Sequence, residues 1–159
     1  MQGIAVSKSV LFKSLFVTCS LSVLGSVISA HAEDIVISGP QNATVELNGG
    51  DTLTITKDGI IEPPSGDEGV VSTGGNNEVL NNGTVRTEGE RAYGIRNESS
   101  DYSPVTNSGT VRTEGERAYG IYNIFSSNSP VTNSGTVRTE GERAYGIRNE
   151  SSDYSPVTN

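Results

Sequence analysis

Residues Gly83 to Thr106 read GTVRTEGERAYGIRNESSDYSPVT, and the string returns at Gly109 to Thr132 and at Gly135 to Thr158, a fixed period of 26 residues. The segments from Thr84 to Asn107 and from Thr136 to Asn159 are identical, and the middle copy departs only between Tyr122 and Asn128. A unit this short cannot enclose an apolar core by itself. Exact recurrence at such a period requires one supersecondary unit to stack on its neighbours, which is the pattern of a solenoid.

Each unit holds three apolar points, Val85, the Tyr93 to Ile95 cluster and Val105, separated by turns at Glu88-Gly89-Glu90, Asn97 to Asp101 and Asn107-Ser108-Gly109. Three short strands and three turns make one coil of a parallel β-helix, with the next coil about 4.8 Å above it. The period then predicts core columns: Val85 under Val111 and Val137, Ile95 under Ile121 and Ile147, Val105 under Val131 and Val157. Asn81, Asn107 and Asn133 each precede a glycine by two residues, and an Asn repeated at a bend can run its amide up the coil as a hydrogen-bonded ladder. Gly83, Gly109 and Gly135 are expected where the backbone needs positive φ or close approach. Exact repetition also stacks like charges, Arg86 near Arg112 and Glu88 near Glu114. Because Arg and Glu columns lie side by side, the expected result is a solvated face of weak ion pairs, each worth about 0 to 1 kcal/mol.

Ahead of the repeats, Asp34 to Asn82 shows no clear period but alternates at Ile35 and Ile37, Val45 and Leu47, and Leu53 and Ile55, as half-buried strands do. Turn residues at Gly39-Pro40, Asn48 to Asp51 and Asp58-Gly59 separate these runs. Thr52, Thr54 and Thr56 alternate with them and are read as the solvent side of a strand. No stretch after the leader has helical periodicity. The chain therefore divides into a leader, 1–32, a lead-in of strands that begins and caps the solenoid, 33–82, and three 26-residue repeats, 83–159.

The leader carries Lys8 and Lys13, an apolar stretch from Val10 to Ile28, and Ala30-His31-Ala32 as a small-x-small box. That pattern reads as a secretory signal peptide cut between Ala32 and Glu33. The formal charge is −8, and the leader contributes two lysines and no acid, so the remainder carries −10. An acidic chain without Lys/Arg clusters is a poor ligand for nucleic acid or anionic lipid. The one Cys (Cys19), the one His (His31) and Met1 all lie within the leader, and there is no Trp. Beyond the leader, structural zinc sites, disulfide scaffolds and histidine-based hydrolases are excluded by composition. Carboxylates remain as catalytic candidates, but Glu88, Glu90, Glu98 and Asp101 recur as copies, whereas an active site is a single constellation. The sequence thus predicts no enzyme, no cofactor and no metal.

The string Asn-x-Gly-Thr-Val-x-Thr-x-Gly-x-x-Ala-Tyr-Gly-Ile, at Asn81 to Ile95, Asn107 to Ile121 and Asn133 to Ile147, resembles the repeats of bacterial autotransporter passenger domains. The resemblance covers about half of the chain, Asn81 to Asn159. It implies a right-handed parallel β-helix exported across the outer membrane of a Gram-negative bacterium by a C-terminal β-barrel, often with a role in adhesion and virulence. No barrel pattern of alternating strands follows the repeats here, so the expectation is a passenger without its own translocator, in the periplasm, at the cell surface or secreted. Its expected partner is a host-cell or matrix molecule or another solenoid, with no membrane insertion by the mature segment. Two other readings stay open: part of a carbohydrate-active β-helix enzyme, and a non-functional remnant.

Repeats differ at one place. Arg96, Glu98, Ser99 and Tyr102 become Tyr122, Ile124, Phe125 and Asn128. Tyr122, Ile124 and Phe125 are therefore the candidate contact loop if the bend projects; alternatively Ile124 and Phe125 tuck over the adjacent coil.

Overall fold

The computed structural model describes residues 32–159, so the apolar leader and the first two residues of the Ala30-His31-Ala32 box lie outside the described residues. Sixteen strands, and no helix, make up the described chain. Three strands form each coil: β1 (Asp34–Ile37), β2 (Pro40–Gln41) and β3 (Val45–Asn48), then β4 (Thr52–Ile55), β5 (Ile60–Ile61) and β6 (Val70–Thr73). The third coil holds β7 (Glu78–Asn81), β8 (Thr84–Glu88) and β9 (Ile95–Glu98), and the fourth holds β10 (Val105–Asn107), β11 (Thr110–Glu114) and β12 (Ile121–Ile124). The fifth holds β13 (Val131–Asn133), β14 (Thr136–Thr139) and β15 (Ile147–Glu150), and β16 (Val157–Thr158) follows. Every third strand pairs in parallel, giving three sheets in the orders β1-β4-β7-β10-β13-β16, β2-β5-β8-β11-β14 and β3-β6-β9-β12-β15. The fold is an all-β parallel solenoid with 26-residue coils in its repeats.

The register places like on like. Val85 pairs with Val111 and Val111 with Val137; Ile95 with Ile121 and Ile121 with Ile147; Val105 with Val131 and Val131 with Val157. These are the columns that the period requires, and Val85, Val111, Ile95, Ile121, Val105 and Val131 are buried. The lead-in continues the same columns downward, with Ile61 under Val85, Val70 under Ile95, and Ile35 and Leu53 under Val79. Its coils differ in length, since Ile35 pairs 18 positions on with Leu53 while Val45 pairs 25 positions on with Val70. As a result the lead-in shares the coil without sharing a period. The outward residues Thr52 and Thr54 alternate with the buried Leu53 and Ile55.

Polar columns run beside the apolar ones. Asn81 Nδ2 donates to Asn107 Oδ1 at 2.7 Å, Asn107 to Asn133 at 2.7 Å and Asn133 to Asn159 at 3.2 Å, the ladder expected from the Asn-x-Gly bends. A second ladder, which the sequence did not announce, joins Asn97 to Asn123 at 2.9 Å and Asn123 to Asn149 at 3.0 Å. Below the repeats the same two positions hold Ile37 and Ile55 in one column, and Leu47 and Ser72 in the other.

Glycines mark where one coil nearly touches the next. A Cβ on Gly109 would run into the carbonyl oxygen of Gly83, and one on Gly135 into that of Gly109. Of the two expected reasons for these glycines, close approach applies. Thr87 and Thr113 close the following bend, their hydroxyls donating to the carbonyls of Ala92 (2.6 Å) and Ala118 (2.7 Å).

Candidate functional site

The repeats differ at the corner that leads from the third sheet to the first, residues 97–104, 123–130 and 149–156. Its inner side is closed by buried serines. The Ser100 backbone N–H donates to Ser126 Oγ and that of Ser126 to Ser152 Oγ; Ser103 donates likewise to Ser129, and Ser129 to Ser155, all at 3.0 Å. Lower in the molecule the same column passes through Asn77, whose N–H donates to Ser103 Oγ, to Asp51, whose N–H donates to Asn77 Oδ1. Asp51 closes the column's end by accepting the N–H groups of Glu33 and Asn48. Glu33, the residue after the expected cut, is thus held by the first coil, and its carbonyl accepts the N–H of Thr52.

Two residues per coil at this corner take left-handed backbone: Ser99, Phe125 and Ser151 with φ near 50°, and Asn76, Tyr102, Asn128 and Tyr154 with φ from 53° to 56°. Left-handed backbone strains an L side chain by about 1 to 2 kcal/mol, least for Asn. Here neighbouring coils hold it in place: Asn76 N–H donates to Asp101 O, Tyr102 N–H to Ser127 O, Phe125 N–H to Glu150 O, and Asn128 N–H to Asp153 O.

The three residues of the candidate contact loop part company at this corner. Tyr122 replaces an arginine on the outward side of the third sheet, yet is only 6 % exposed. Its ring packs edge-on between Tyr93 (5.1 Å) and Tyr119 (5.0 Å), and its hydroxyl donates to Glu150 at 2.8 Å. Burial, followed by the bond to Glu150, raises the Tyr122 phenol well above its ordinary value. Ile124 is half-buried beside it. Phe125 projects, 57 % exposed. Tyr102 and Tyr154, on the same corner one coil below and one above, are 60 % and 85 % exposed. Sequence reading noted Tyr102 only as a position where the middle copy differs and did not single out either tyrosine; the Asn at the equivalent position of the middle copy was the available signal.

A second set of tyrosines behaves differently. Tyr93 stacks on Tyr119 at 5.3 Å and Tyr119 meets Tyr145 at 5.5 Å, with the Arg148 guanidinium over the Tyr119 ring at 5.0 Å. Burial raises the Tyr93 phenol as well. These rings contact one another, and Tyr145, the last of the row, is 55 % exposed. Tyr102, Phe125 and Tyr154 enter no ring contact among the described residues.

The networks of Arg–Glu pairs lie on the other two sheets. On the second sheet Arg86 bridges Glu62 (3.1 Å), Glu88 (2.6 Å) and Glu114 (3.1 Å), and Arg112 bridges Glu114 (3.0 Å) and Glu140 (2.8 Å). On the third sheet Arg96 bridges Glu68 (2.9 Å) and Glu98 (2.6 Å). The outer face of the first sheet, in the repeats, presents Pro104, Thr106 and Ser108 and their copies, with no ionisable side chain between residues 104 and 108, 130 and 134, or 156 and 159.

A cavity of about 370 Å³ lies at the C-terminal mouth of the coil, lined by Asn133, Val137, Gly146, Ile147, Val157 and Asn159. It is the space between the last core columns. Among the described residues no group of three His, Cys, Asp or Glu side chains is placed to hold a metal ion, and no helix is long and apolar enough to cross a membrane. No protein-family model matches the chain, and neither a curated protein nor a solved structure matches it.

Proposed function

We propose that this protein works outside the cytoplasm as a rigid, adhesin-like β-solenoid that offers its lateral surface to a host-cell or matrix molecule. The observation that carries this reading is where the repeats differ. Every departure of the middle copy falls on one corner, from Tyr122 to Asn128, while the columns that hold the coil together are unchanged. Within that stretch Phe125 projects where a partner can reach it, while Tyr122 packs against the frame, which is otherwise held constant. The acids of the repeat faces are engaged by arginines in neighbouring columns, which suits a solvated scaffold better than acid–base chemistry. No catalytic role, cofactor or metal is assigned.

Export follows from the leader, whose small-x-small box ends at Ala32, with Glu33 as the first residue of the mature chain. The likeness of the repeat string to autotransporter passengers supports the same destination. The test has two parts. The amino terminus of the protein recovered from the periplasm and the medium should be Glu33; a chain retained in the cytoplasm with Met1 intact would remove the export reading. The purified protein should bind saturably to cultured host cells or extracellular matrix and be displaced by unlabelled protein. Absence of saturable binding to either would overturn the adhesin reading.

A further inference from the structure

We propose that the corner carrying Tyr102, Phe125 and Tyr154 binds a neutral polysaccharide, the three rings serving as platforms for sugar rings; the inference rests on the scaffold reading above and names its ligand class.

The first observation is strained backbone, held by hydrogen bonds from neighbouring coils, that carries exposed aromatic side chains. All three aromatic residues occupy left-handed backbone positions. The sibling coils show what stability alone selects there: Asn76 and Asn128 in one column, Ser99 and Ser151 in the other. Tyr102, Phe125 and Tyr154 are more than half exposed and contact no other ring, so packing does not offset the strain of holding an aromatic residue in this conformation. A contact outside the fold would give these exposed rings a role that packing within the fold does not.

The second observation is spacing. Tyr93, Tyr119 and Tyr145 recur in every repeat, and each contacts the next ring along the axis. At the corner the aromatic position alternates. Tyr102 and Tyr154 stand two coils apart, about 9.5 Å along the axis, with Asn128 between them, and Phe125 enters from the other column of the middle coil. No ring lies directly over another ring, and each leaves a face open.

Chemistry selects the ligand. Between the rings stand Asp101, Ser127, Asn128 and Asp153, hydrogen-bonding groups rather than apolar ones, and the adjoining sheet face offers prolines and hydroxyls without charge. A protein partner held by hydrophobic contact would meet a patch interrupted at every step. A pyranose ring has an apolar C–H face and a rim of hydroxyls, which matches isolated aromatic rings separated by polar groups. The net charge of −10 beyond the leader opposes anionic polymers. The ligand is therefore a neutral glycan running along the solenoid axis.

The experiment is native affinity electrophoresis of the full chain in gels containing soluble β-glucan, galactomannan or dextran, with alginate as the anionic counterpart. At least one neutral glycan should retard the protein, and alginate should not. Replacing the rings by the residues of the sibling coils, Tyr102→Asn with Tyr154→Asn, and separately Phe125→Ser, should weaken retardation at least tenfold while thermal stability stays the same or rises. Arg112→Ala, on the charged face, should leave retardation unchanged. No retardation by any neutral glycan, or retardation unaffected by the double replacement, overturns the proposal. Cell or matrix binding that survives removal of surface glycans also overturns it but leaves the scaffold reading standing; absence of binding to untreated cells, to matrix and to every neutral glycan removes both.

Discussion

The lead-in and the repeats fill the same interior positions by opposite means. In the column that closes the first sheet, the lead-in places Ile37 and Ile55 before ending on Asn81, and the repeats place Asn107, Asn133 and Asn159. In the third sheet Leu47 gives way, through Ser72, to Asn97, Asn123 and Asn149. An isoleucine is satisfied by any apolar neighbour and so tolerates a change of register. An amide in the same place bonds along the axis only when the next coil presents another amide at the same height, backbone groups such as Thr110 O for Asn81 and Ser103 O for Asn97 meeting the rest of its capacity. The ladders therefore specify register among copies whose sequences cannot distinguish one strand from another. The junctions show the requirement directly. Asn81 Oδ1 finds the N–H of Gly83 at 3.1 Å, whereas Asn97 Oδ1, above Ser72, is buried without a partner.

The largest test of this contrast uses glycine. Gly109→Ala would drive a methyl group into the Gly83 carbonyl, a backbone atom that cannot swing aside, and should destabilise the solenoid by about 3 kcal/mol. Gly39→Ala in the lead-in meets open space and should stay within about 0.5 kcal/mol of wild type. Urea unfolding followed by circular dichroism measures both, and equal effects would show that the coils are not in tight contact at Gly109.

Next in size is the ladder itself. Asn107→Ile transplants the lead-in residue into the repeats and leaves Asn81 Nδ2 and Asn133 Oδ1 without their rungs; the expected loss is about 2 to 3 kcal/mol. Converting Asn81, Asn107, Asn133 and Asn159 together to Ile should cost less than the single change, since no amide is then stranded among apolar neighbours. If the fourfold variant were the less stable one, the ladder would be a net source of stability rather than of register.

Smaller effects belong to the charged faces. Arg112→Ala removes the solvent-screened pairs with Glu114 and Glu140 and should lower stability only slightly, and less still at high salt. Glu68, at the seam between lead-in and repeats, is raised above the ordinary carboxylate value by burial, which outweighs its ion pair with Arg96. A carboxyl raised in the folded state binds its proton more tightly there than in the unfolded chain. Its contribution is therefore most favourable below the unfolded value and declines as pH rises through the folded one. Relative to Glu68→Gln, which cannot titrate, the wild type should gain stability as pH falls from 7 to 4. Parallel unfolding curves at the two pH values would show that Glu68 is not buried as described.

Legibility followed the period. Where 26 residues recur without change, sequence alone placed Val85 under Val111, Ile95 under Ile121 and Asn107 under Asn133. The lead-in obeys the same register but with coils of unequal length, so Leu47 and Val70 carry no sign in sequence that they stand in the columns of Asn97 and Ile95. At the variable corner, alternation gives Tyr122 an outward direction, but its burial depends on the rings of Tyr93 and Tyr119, which lie one coil below and in its own coil. Tyr102 and Tyr154 depend on a backbone sign that local sequence states only through the asparagines at 76 and 128.

Identity between the outer copies has a genetic consequence. Misaligned recombination between copies removes or inserts whole 26-residue units, and any number of them preserves the core columns and the amide ladders, changing the height by about 4.8 Å each. The corner does not share this freedom. Losing the middle unit sets the two like coils together, so that Tyr102 would stand directly beneath Tyr154 and close against it, as Tyr93 does against Tyr119. Folding is indifferent to the parity of the array; the spacing of the open rings survives only when units are exchanged in pairs.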